Sequence, residues 1–436
     1  MSEPLTVCVG ILTTDRKVKV NFTGIYSSET DSVVTGETEF ALSEGGCGVE
    51  VNGRLYLTTP VFYPSSPDGD SFEIEGVTIG VEFHWERKEN QRFRGAPKVV
   101  ADSGKLVFIN IVNIEEYLKS VISSEMKSTA SLNLLRAHAV ISRSWLVAQM
   151  SRRQHQYRRD GQRGVSDSTS EIVRWWDQED HRLFDVCADD HCQRYQGVSR
   201  IASDRAISAV NDTWGQVLMA DGTLCDARFS KCCGGVFERF ENCWENEPKS
   251  YLVARHDAID YDRFPDLTIE KNALDWIEGR PEAFCNTSDA KILGQVLNNY
   301  DRETSDFFRW EVEYDRDELG RIVAERLGED LGRIIELVPL SRGTSGRIYR
   351  LEIIGEKGSK IIGKELMIRR TLSKSHLLSS AFVMSGDESH IRLRGAGWGH
   401  GVGLCQIGAA VMGERGYSYL DILKHYYPGA HVESLY

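Results

Sequence analysis

The most informative stretch of the chain is Gly395-Ala396-Gly397-Trp398-Gly399-His400-Gly401-Val402-Gly403-Leu404-Cys405-Gln406-Ile407-Gly408-Ala409-Ala410. Six glycines fall within fourteen of these residues, and each would cost about 0.5–1 kcal/mol inside a regular helix or strand. This density indicates backbone that turns tightly or lies against a ligand. The spacing matches neither a Walker nor a dinucleotide-binding pattern, which disfavours a phosphate cradle. A glycine-rich turn before a core helix is the structural alternative.

Two helices are predicted upstream of this stretch. Ile114–Ile122 follows a short apolar strand, and Leu132–Met150 has one face of apolar and small side chains at spacings of three and four. Ser131 stands where the second helix would need an N-cap. Between the two helices, Glu125 lies at a helix boundary, where a surface carboxylate is the ordinary expectation.

The first hundred residues predict strands. Leu5–Ile11 and Lys17–Phe22 have strand patterns joined by a short polar connection, which predicts a hairpin. Asn52-Gly53 predicts a second hairpin with a type I′ turn. We therefore expect an α+β fold made of a β-rich region over residues 1–100 and a second domain over 101–436. In that second domain, 101–258 and 346–436 would form the core around a cleft and 259–345 an inserted α+β subdomain.

Composition narrows the range of partners. The chain has 436 residues and a formal net charge of −13, which argues against nucleic acid because phosphate binding needs a cationic surface. No apolar run approaches the roughly 18 residues of a transmembrane segment, so none is expected. The start Met1-Ser2-Glu3-Pro4 lacks the features of a signal peptide.

A second chemical cluster consists of two histidines and two cysteines within twelve residues: His181, Cys187, His191 and Cys192. Imidazole and thiolate at this density suit tetrahedral zinc. Neighbouring residues of a strand point to opposite faces, so His191 and Cys192 would need a bend to bind one ion. A disulfide between Cys187 and Cys192, and simple packing, are the alternatives.

Four segments in sequence order resemble the signatures of the SpoIID/LytB family, which includes sporulation stage II protein D and amidase-modifier proteins. The resemblance covers roughly residues 100 to 436. The matching segments are Asn113–Leu118 with Ser124-Glu125-Met126; Arg136–Trp145; Cys233-Gly234-Gly235 with Trp244 and Tyr251-Leu252; and Gly397–Ala410 with Gly416–Leu423 and His425–Gly429.

The resemblance implies a peptidoglycan lytic transglycosylase of the cell envelope that prefers glycan strands without stem peptides. Such an enzyme cleaves between N-acetylmuramic acid and N-acetylglucosamine and leaves a 1,6-anhydro end. The matching catalytic residue is Glu125. One carboxyl is enough, because the sugar's own 6-hydroxyl is the nucleophile and no second carboxylate need activate water. No cofactor is required, and a zinc in the His181–Cys192 cluster would be structural.

Other site residues follow from the same resemblance. Arg143 and His400 are candidates for holding the sugar or orienting Glu125, although Arg143 could equally pair with a structural acid. The remaining substrate-binding candidates are Tyr195, Trp398 and Gln406.

Two positions depart from the family pattern. Lys127 stands where proline is usual, and His138 stands where glutamine is usual. These departures keep a second reading open, a non-catalytic peptidoglycan-binding module that stimulates a cell-wall amidase. A zinc hydrolase that uses the His181–Cys192 cluster is a third reading, weakened by the lack of an obvious general base beside it.

Overall fold

The computed structural model describes residues 4–30, 32–79, 87–127, 129–156, 165–168, 170–175, 181–189, 192–201, 204–259, 263–296 and 306–436. For residues 153–156, 165–167 and 200 this covers the backbone alone. Strands and helices share the chain, and the N-terminal third is rich in strands. The predicted α+β class is therefore confirmed. Within the described residues, no helix has both the length and the apolar character needed to cross a bilayer.

Ten strands precede the first helix within the described residues. Most of them form a seven-stranded antiparallel sheet in the order β5-β4-β3-β2-β7-β8, with β6 paired to β2. Asn52 and Gly53 connect β4 to β5 with φ of 47° and 79°, so the predicted type I′ hairpin is confirmed. The strands are β1 Thr6–Thr14, β2 Val18–Ser28, β3 Val33–Leu42, β4 Val49–Val51, β5 Arg54–Tyr56, β6 Phe62–Pro64, β7 Ser71–Ile79, β8 Arg87–Phe93, β9 Ala96–Asp102 and β10 Lys105–Asn113.

The first strand does not pair with the second. β1 pairs antiparallel with β10, from Thr6 opposite Asn113 to Thr14 opposite Leu106, and its other edge pairs with the short strand Val186–Cys187. The predicted hairpin of the first two strands is therefore wrong. An alternating pattern identifies a strand and its buried face, but it does not say which strand lies beside it. This pairing also joins the strand-rich N-terminal residues to the segment that leads into the first helix.

Both predicted helices form, and their starts have clear caps. Asn113 accepts a hydrogen bond from Glu115 N at 2.7 Å before α1. Ser131 Oγ accepts one from Leu134 N at 3.2 Å before α2, which confirms the predicted cap. The helices are α1 Ile114–Glu125, α2 Leu132–Gln156, α3 Asp204–Asp212, α4 Glu270–Glu278, α5 Ala290–Val296, α6 Arg316–Leu327, α7 Glu365–Thr371, α8 Gln406–Glu414 and α9 Tyr419–Tyr426.

The later strands belong to smaller sheets, and two of these sheets share a second hydrophobic core. That core contains Ile172 and buried residues from Trp310 to Leu393. The strands are β11 Val165–Asp167, β12 Glu171–Arg174, β13 Val186–Cys187, β14 Gln216–Ala220, β15 Thr223–Leu224, β16 Phe229–Ser230, β17 Val236–Phe237, β18 Arg255–His256, β19 Arg309–Asp315, β20 Ile334–Arg342, β21 Ile348–Gly355, β22 Gly358–Gly363, β23 Phe382–Gly386, β24 His390–Ala396, β25 Leu404–Cys405 and β26 His431–Ser434.

The glycine-rich stretch runs beside the segment 228–235. β25 pairs in parallel with β16, and Cys232 exchanges two backbone hydrogen bonds with Trp398. The four alternate glycines at 397, 399, 401 and 403 have φ between 70° and 94°, a region that side chains disfavour. The glycine pattern therefore encodes a backbone path that only glycine follows without strain, and this path carries Trp398 and His400.

Candidate active site

Glu125 is the last residue of α1, and its side chain is half-buried. Among the residues that the structure describes, it accepts one long hydrogen bond, 3.4 Å from the backbone nitrogen of Arg194. Its charge also interacts with the imidazole of His138 and with the phenol of Tyr117. The carboxyl group is thus held near a polar cluster while most of its hydrogen-bonding capacity stays uncommitted to the described residues.

His138 lies behind Glu125 and is fully buried. Its Nδ1 is 3.1 Å from Ser142 Oγ, and its Nε2 is 3.3 Å from the side-chain nitrogen of Gln406. Burial lowers the pKa of His138 to about 4, with the charge of Lys231 acting in the same direction and that of Glu125 against it. The imidazole is therefore neutral at physiological pH and serves as a hydrogen-bonding group. Gln406, predicted to meet the sugar, is buried against this ring instead.

Arg143 and Tyr195 are also buried. Arg143 forms a two-pronged ion pair with Glu115, at 2.8 and 2.6 Å, and donates to the carbonyl of Gln216 at 2.9 Å. This is the structural pairing that the sequence left open for Arg143. Tyr195 stacks on Tyr117 with ring centroids 5.0 Å apart, and its hydroxyl accepts a hydrogen bond from Asn110 at 2.8 Å. Neither side chain is exposed to a substrate in this conformation.

Trp398 and His400 keep part of their surface exposed. The Trp398 ring packs 4.9 Å from Phe307, and the His400 ring lies edge-on to Trp244 at 4.9 Å. Burial and the nearby charges of Arg228 and Arg347 hold the pKa of His400 well below its ordinary value. Its Nδ1 accepts from Val402 N at 3.0 Å, so the neutral ring carries its proton on Nε2.

Sequence reasoning gave no role to four residues of this neighbourhood, Arg228, Phe229, Lys231 and Trp244, although Trp244 stands in one of the segments that resemble the family. Arg228 pairs with Asp226 at 2.8 Å, lies 4.3 Å over the Trp244 ring, and its charge acts on both His400 and Cys192. Phe229 packs 4.6 Å from the His138 ring. Their sequence signal is their position. Arg228, Phe229 and Lys231 stand just before the motif Cys233-Gly234-Gly235, and Trp244 follows it. Arginines and lysines occur throughout the chain, so residue type alone does not single them out.

Three of the four predicted metal ligands lie together. One donor atom from each of His181, Cys187 and Cys192 lies within 4.8 Å of the others, and His181 Nε2 is 3.3 Å from Cys192 Sγ. His191 lies outside the described residues. Burial and the neighbouring Cys187 raise the pKa of the Cys192 thiol, while Arg228 acts against them. Imidazole and two thiols at these separations fit a tetrahedral zinc with one further ligand.

Two family models match the chain in adjacent segments. One is described as Stage II sporulation protein and covers residues 102–219. The other is described as Domain of unknown function (DUF8618) and covers residues 238–403. The first segment contains α1, Glu125, α2 and the His181–Cys192 cluster.

Individual relatives point the same way. The chain is 27% identical to the Amidase enhancer of Bacillus subtilis over 333 residues, which are 73% of this chain and 40% of that protein. It is 24% identical to Stage II sporulation protein D of Bacillus amyloliquefaciens over 323 residues, 74% of each protein. Its identity to Stage II sporulation protein D of Bacillus subtilis is 23% over 391 residues, 89% of this chain and 87% of that protein.

Residues 102–219 of this chain match the model of the SpoIID family. The predicted assignment is thus confirmed by a family model and by relatives named for both branches. The share of the relative's length that the match covers differs between the two branches. The match spans less than half the length of the Amidase enhancer but most of the length of the two sporulation proteins. Glu125 lies in the segment that matches the Stage II sporulation protein model, and Gly397–Gly403 lie in the segment that matches DUF8618.

Proposed function

We propose that the protein is a peptidoglycan lytic transglycosylase of the cell envelope, with Glu125 as its general acid and base. The observation that carries the proposal is the state of Glu125. It is half-buried at the end of a fixed helix, beside a neutral histidine, with one long hydrogen bond among the described residues. A carboxyl group in a structural role would be expected to have its oxygens fully engaged, as those of Glu115 are.

The reaction would use Glu125 twice. The protonated carboxyl donates its proton to the glycosidic oxygen as the bond from C1 of N-acetylmuramic acid to that oxygen breaks. The carboxylate then removes the proton from the 6-hydroxyl of the same sugar while O6 bonds to C1. The products are a new 4-hydroxyl on N-acetylglucosamine and a 1,6-anhydro end, and Glu125 is again protonated. One group serves both steps because they are successive proton transfers in opposite directions.

Substrate contacts would come from the half-exposed residues of the neighbourhood. Trp398 offers an indole face for stacking on a sugar ring. His400 is held neutral with its proton on Nε2, which makes it a hydrogen-bonding group for neutral sugar hydroxyls or acetamido groups rather than a cation. Arg143, Tyr195 and Gln406 would act from behind this surface, by fixing the two helices and His138.

The His181–Cys192 cluster would have a structural part in this scheme. His181, Cys187 and Cys192 would hold a zinc ion, whose contribution is to cross-link the segment that precedes Arg194. Arg194 supplies the backbone N–H that meets Glu125. The cluster would therefore help to position the carboxyl group, and the proton transfers themselves need no metal.

The decisive experiment incubates peptide-stripped glycan strands with the wild type and with Glu125→Gln, followed by mass spectrometry of the products. We expect 1,6-anhydro fragments from the wild type and none from the variant. Glu116→Gln is the matched control: Glu116 is on the same helix, is partly exposed, and pairs with Lys119, so this variant should retain activity. Glycan left intact by the folded wild type, or cleaved equally by Glu125→Gln, would refute the proposal.

The similarity to the Amidase enhancer favours a second candidate, a module that binds peptidoglycan and stimulates a cell-wall amidase. It is tested by adding the protein to intact peptidoglycan together with an amidase and measuring the release of stem peptides. A stimulation that survives Glu125→Gln, with no anhydro products, would select this function over the first. Stimulation lost with Glu125→Gln would tie both effects to glycan cleavage.

A further inference from the structure

A second group of side chains of the kinds that bind metals is buried in the core and includes Cys405 of the glycine-rich stretch. It consists of Cys233, Asp257, Cys285 and Cys405, and one donor atom from each lies within 4.8 Å of those of the others. All four residues are buried. They come from four separate segments: the motif after β16, the end of β18, the segment between α4 and α5, and the residue before α8.

We propose that these four residues form a structural zinc site with three thiolates and one carboxylate. The separation of Cys233 Sγ from Cys285 Sγ is 3.5 Å. Two zinc–sulfur bonds of about 2.3 Å at a tetrahedral angle place their sulfur atoms about 3.8 Å apart. The sulfur atoms of Cys233 and Cys285 thus already lie within about 0.3 Å of the spacing that a tetrahedral ion imposes.

The carboxylate is oriented as a metal ligand would be. Asp257 Oδ1 accepts hydrogen bonds from Tyr426 at 2.8 Å and faces His425 Nε2 at 3.3 Å. Its Oδ2 faces the thiols, 3.5 Å from Cys233 Sγ, and accepts from Cys285 N at 3.1 Å. Outer hydrogen bonds that fix one oxygen and leave the other directed at the ion are the usual surroundings of a metal-binding carboxylate.

The backbone also supports negative charge on sulfur. Cys405 Sγ accepts from Cys233 N at 3.3 Å and from Gly408 N at 3.5 Å, at the start of α8. A helix N-terminus stabilises a thiolate. Three thiolates and a carboxylate in a buried site would repel one another without a cation, so a divalent ion would offset half of their charge. The buried guanidinium of Arg309 lies close enough for its charge to interact with Cys285.

The site would be closed and therefore structural. Four protein ligands complete a tetrahedron, and backbone hydrogen bonds already interlace the ligand segments: Asp257 N donates to Gly235 O at 2.8 Å and Phe284 N to Asp257 O at 2.6 Å. Zinc would connect the segment around Cys285 to the start of α8. In the chain, α8 directly follows the backbone that carries Trp398 and His400. This site is distinct from the His181–Cys192 cluster, and it does not depend on the proposed reaction.

The test removes the other cluster first. The full chain carrying Cys187→Ala and Cys192→Ala is purified under reducing conditions with zinc present, and its metal content is measured by elemental mass spectrometry. We expect about one zinc per chain. Adding Cys285→Ala should reduce this at least tenfold, whereas Cys225→Ala, at a buried cysteine outside the group, should leave it unchanged.

Two further measurements keep the proposal open to refutation if Cys285→Ala does not fold. Cobalt substitution in the Cys187→Ala/Cys192→Ala protein should give the sulfur-to-cobalt charge-transfer bands of a tetrahedral thiolate site, and Asp257→Asn should weaken cobalt binding. Alkylation and peptide mapping without reductant should find Cys233 and Cys285 unlinked. Folded protein with free thiols and no bound metal, or a stoichiometric Cys233–Cys285 disulfide, would overturn the proposal.

Discussion

Two glutamates on α1 differ in almost every structural respect. Glu115, in the first turn, is fully buried and accepts hydrogen bonds from Nε and Nη2 of Arg143. It also accepts from Gly215 N at 3.3 Å and from the Tyr436 hydroxyl. Glu125, at the other end, is half-buried and accepts a single long hydrogen bond among the described residues. One helix therefore holds one carboxyl group whose oxygens are committed and one whose oxygens are available.

The difference separates a structural carboxylate from a candidate reactive one. Glu115 lies at the helix N-terminus, where the macrodipole favours an anion, and Arg143 and its other donors fix its charge. Glu125 lies at the C-terminus, where the dipole gives a negative charge no such support. The residue with the fewest partners is the one that a substrate could engage. Stability and activity should therefore respond to the two positions in opposite ways.

The largest expected effect is on turnover at Glu125. Glu125→Gln keeps the shape of the side chain but removes the proton donor, so cleavage should fall by about 10²–10⁴-fold. Because few contacts are lost, the free energy of unfolding should change by less than about 0.5 kcal/mol. Initial rates on stripped glycan and urea unfolding measure the two quantities. If Glu125→Gln instead loses much stability and keeps its activity, Glu125 has a structural role like that of Glu115.

Glu115 should show the reverse pattern. Glu115→Gln leaves the fully buried guanidinium of Arg143 without its carboxylate, which should lower the free energy of unfolding by about 3–5 kcal/mol. Urea unfolding of the single variant, of Arg143→Met and of the double variant gives the coupling energy. If the two single effects simply add, the ion pair is not the reason that Glu115 is buried.

His138, on α2, should give the molecule part of its sensitivity to acid. The unfolded chain protonates this residue near its ordinary pKa of 6.5, whereas the folded protein does so only at about 4. Between these values the unfolded state binds more protons, so stability falls as the pH falls. The resulting loss from pH 7 to pH 4 is roughly 3 kcal/mol.

The matched variant is His138→Gln, which places the family's usual residue there. Its stability should fall less steeply between pH 7 and pH 4 than that of the wild type, since the other histidines titrate alike in both proteins. Denaturant unfolding at several pH values gives the two slopes. If the free energy of unfolding depends on pH equally in both proteins, protonation of His138 is not the cause of the loss of stability in acid.

The smallest expected effect concerns Tyr436. Tyr436→Phe removes one hydrogen bond to the buried carboxylate of Glu115 and leaves the ion pair with Arg143 in place. We expect a loss of about 1.5–3 kcal/mol, the usual range for a hydrogen bond to a charged group. Thermal unfolding measures the effect of Tyr436→Phe in the wild type and in the Glu115→Gln variant. If the tyrosine acts through the carboxylate of Glu115, its effect should vanish in the Glu115→Gln variant.

Local sequence signals predicted much of this structure. The cap at Ser131, the turn at Asn52-Gly53 and the helix that begins at Ile114 all depend on residues within a few positions of one another. Pairing across long distances could not be predicted in this way, and the partner of β1 is the clearest failure. A strand pattern contains no information about which distant strand shares its hydrogen bonds.

The candidate site also has a part that local sequence predicted and a part that it did not. The glycine pattern marked the backbone that carries Trp398 and His400, and the spacing of His181, Cys187 and Cys192 brought these three residues together. The burial of Gln406 and Tyr195 depends on packing between helices and strands far apart in sequence, which spacing alone does not encode. The Cys233–Cys405 group was missed for the same reason, since its members are separated by up to 172 residues.

The position of β1 also has a consequence for the order of synthesis and folding. Its partner strand β10 begins after residue 104 and the register joins Thr6 to Asn113. At roughly 5–20 residues per second, a ribosome needs on the order of 5–20 s to make the intervening chain. The first strand must wait that long with both edges unpaired. The seven-stranded sheet can assemble during this interval, because its strands lie within residues 18–93. We therefore expect folding to be limited by closure of this long loop, and an early-arrested nascent chain to be prone to aggregation.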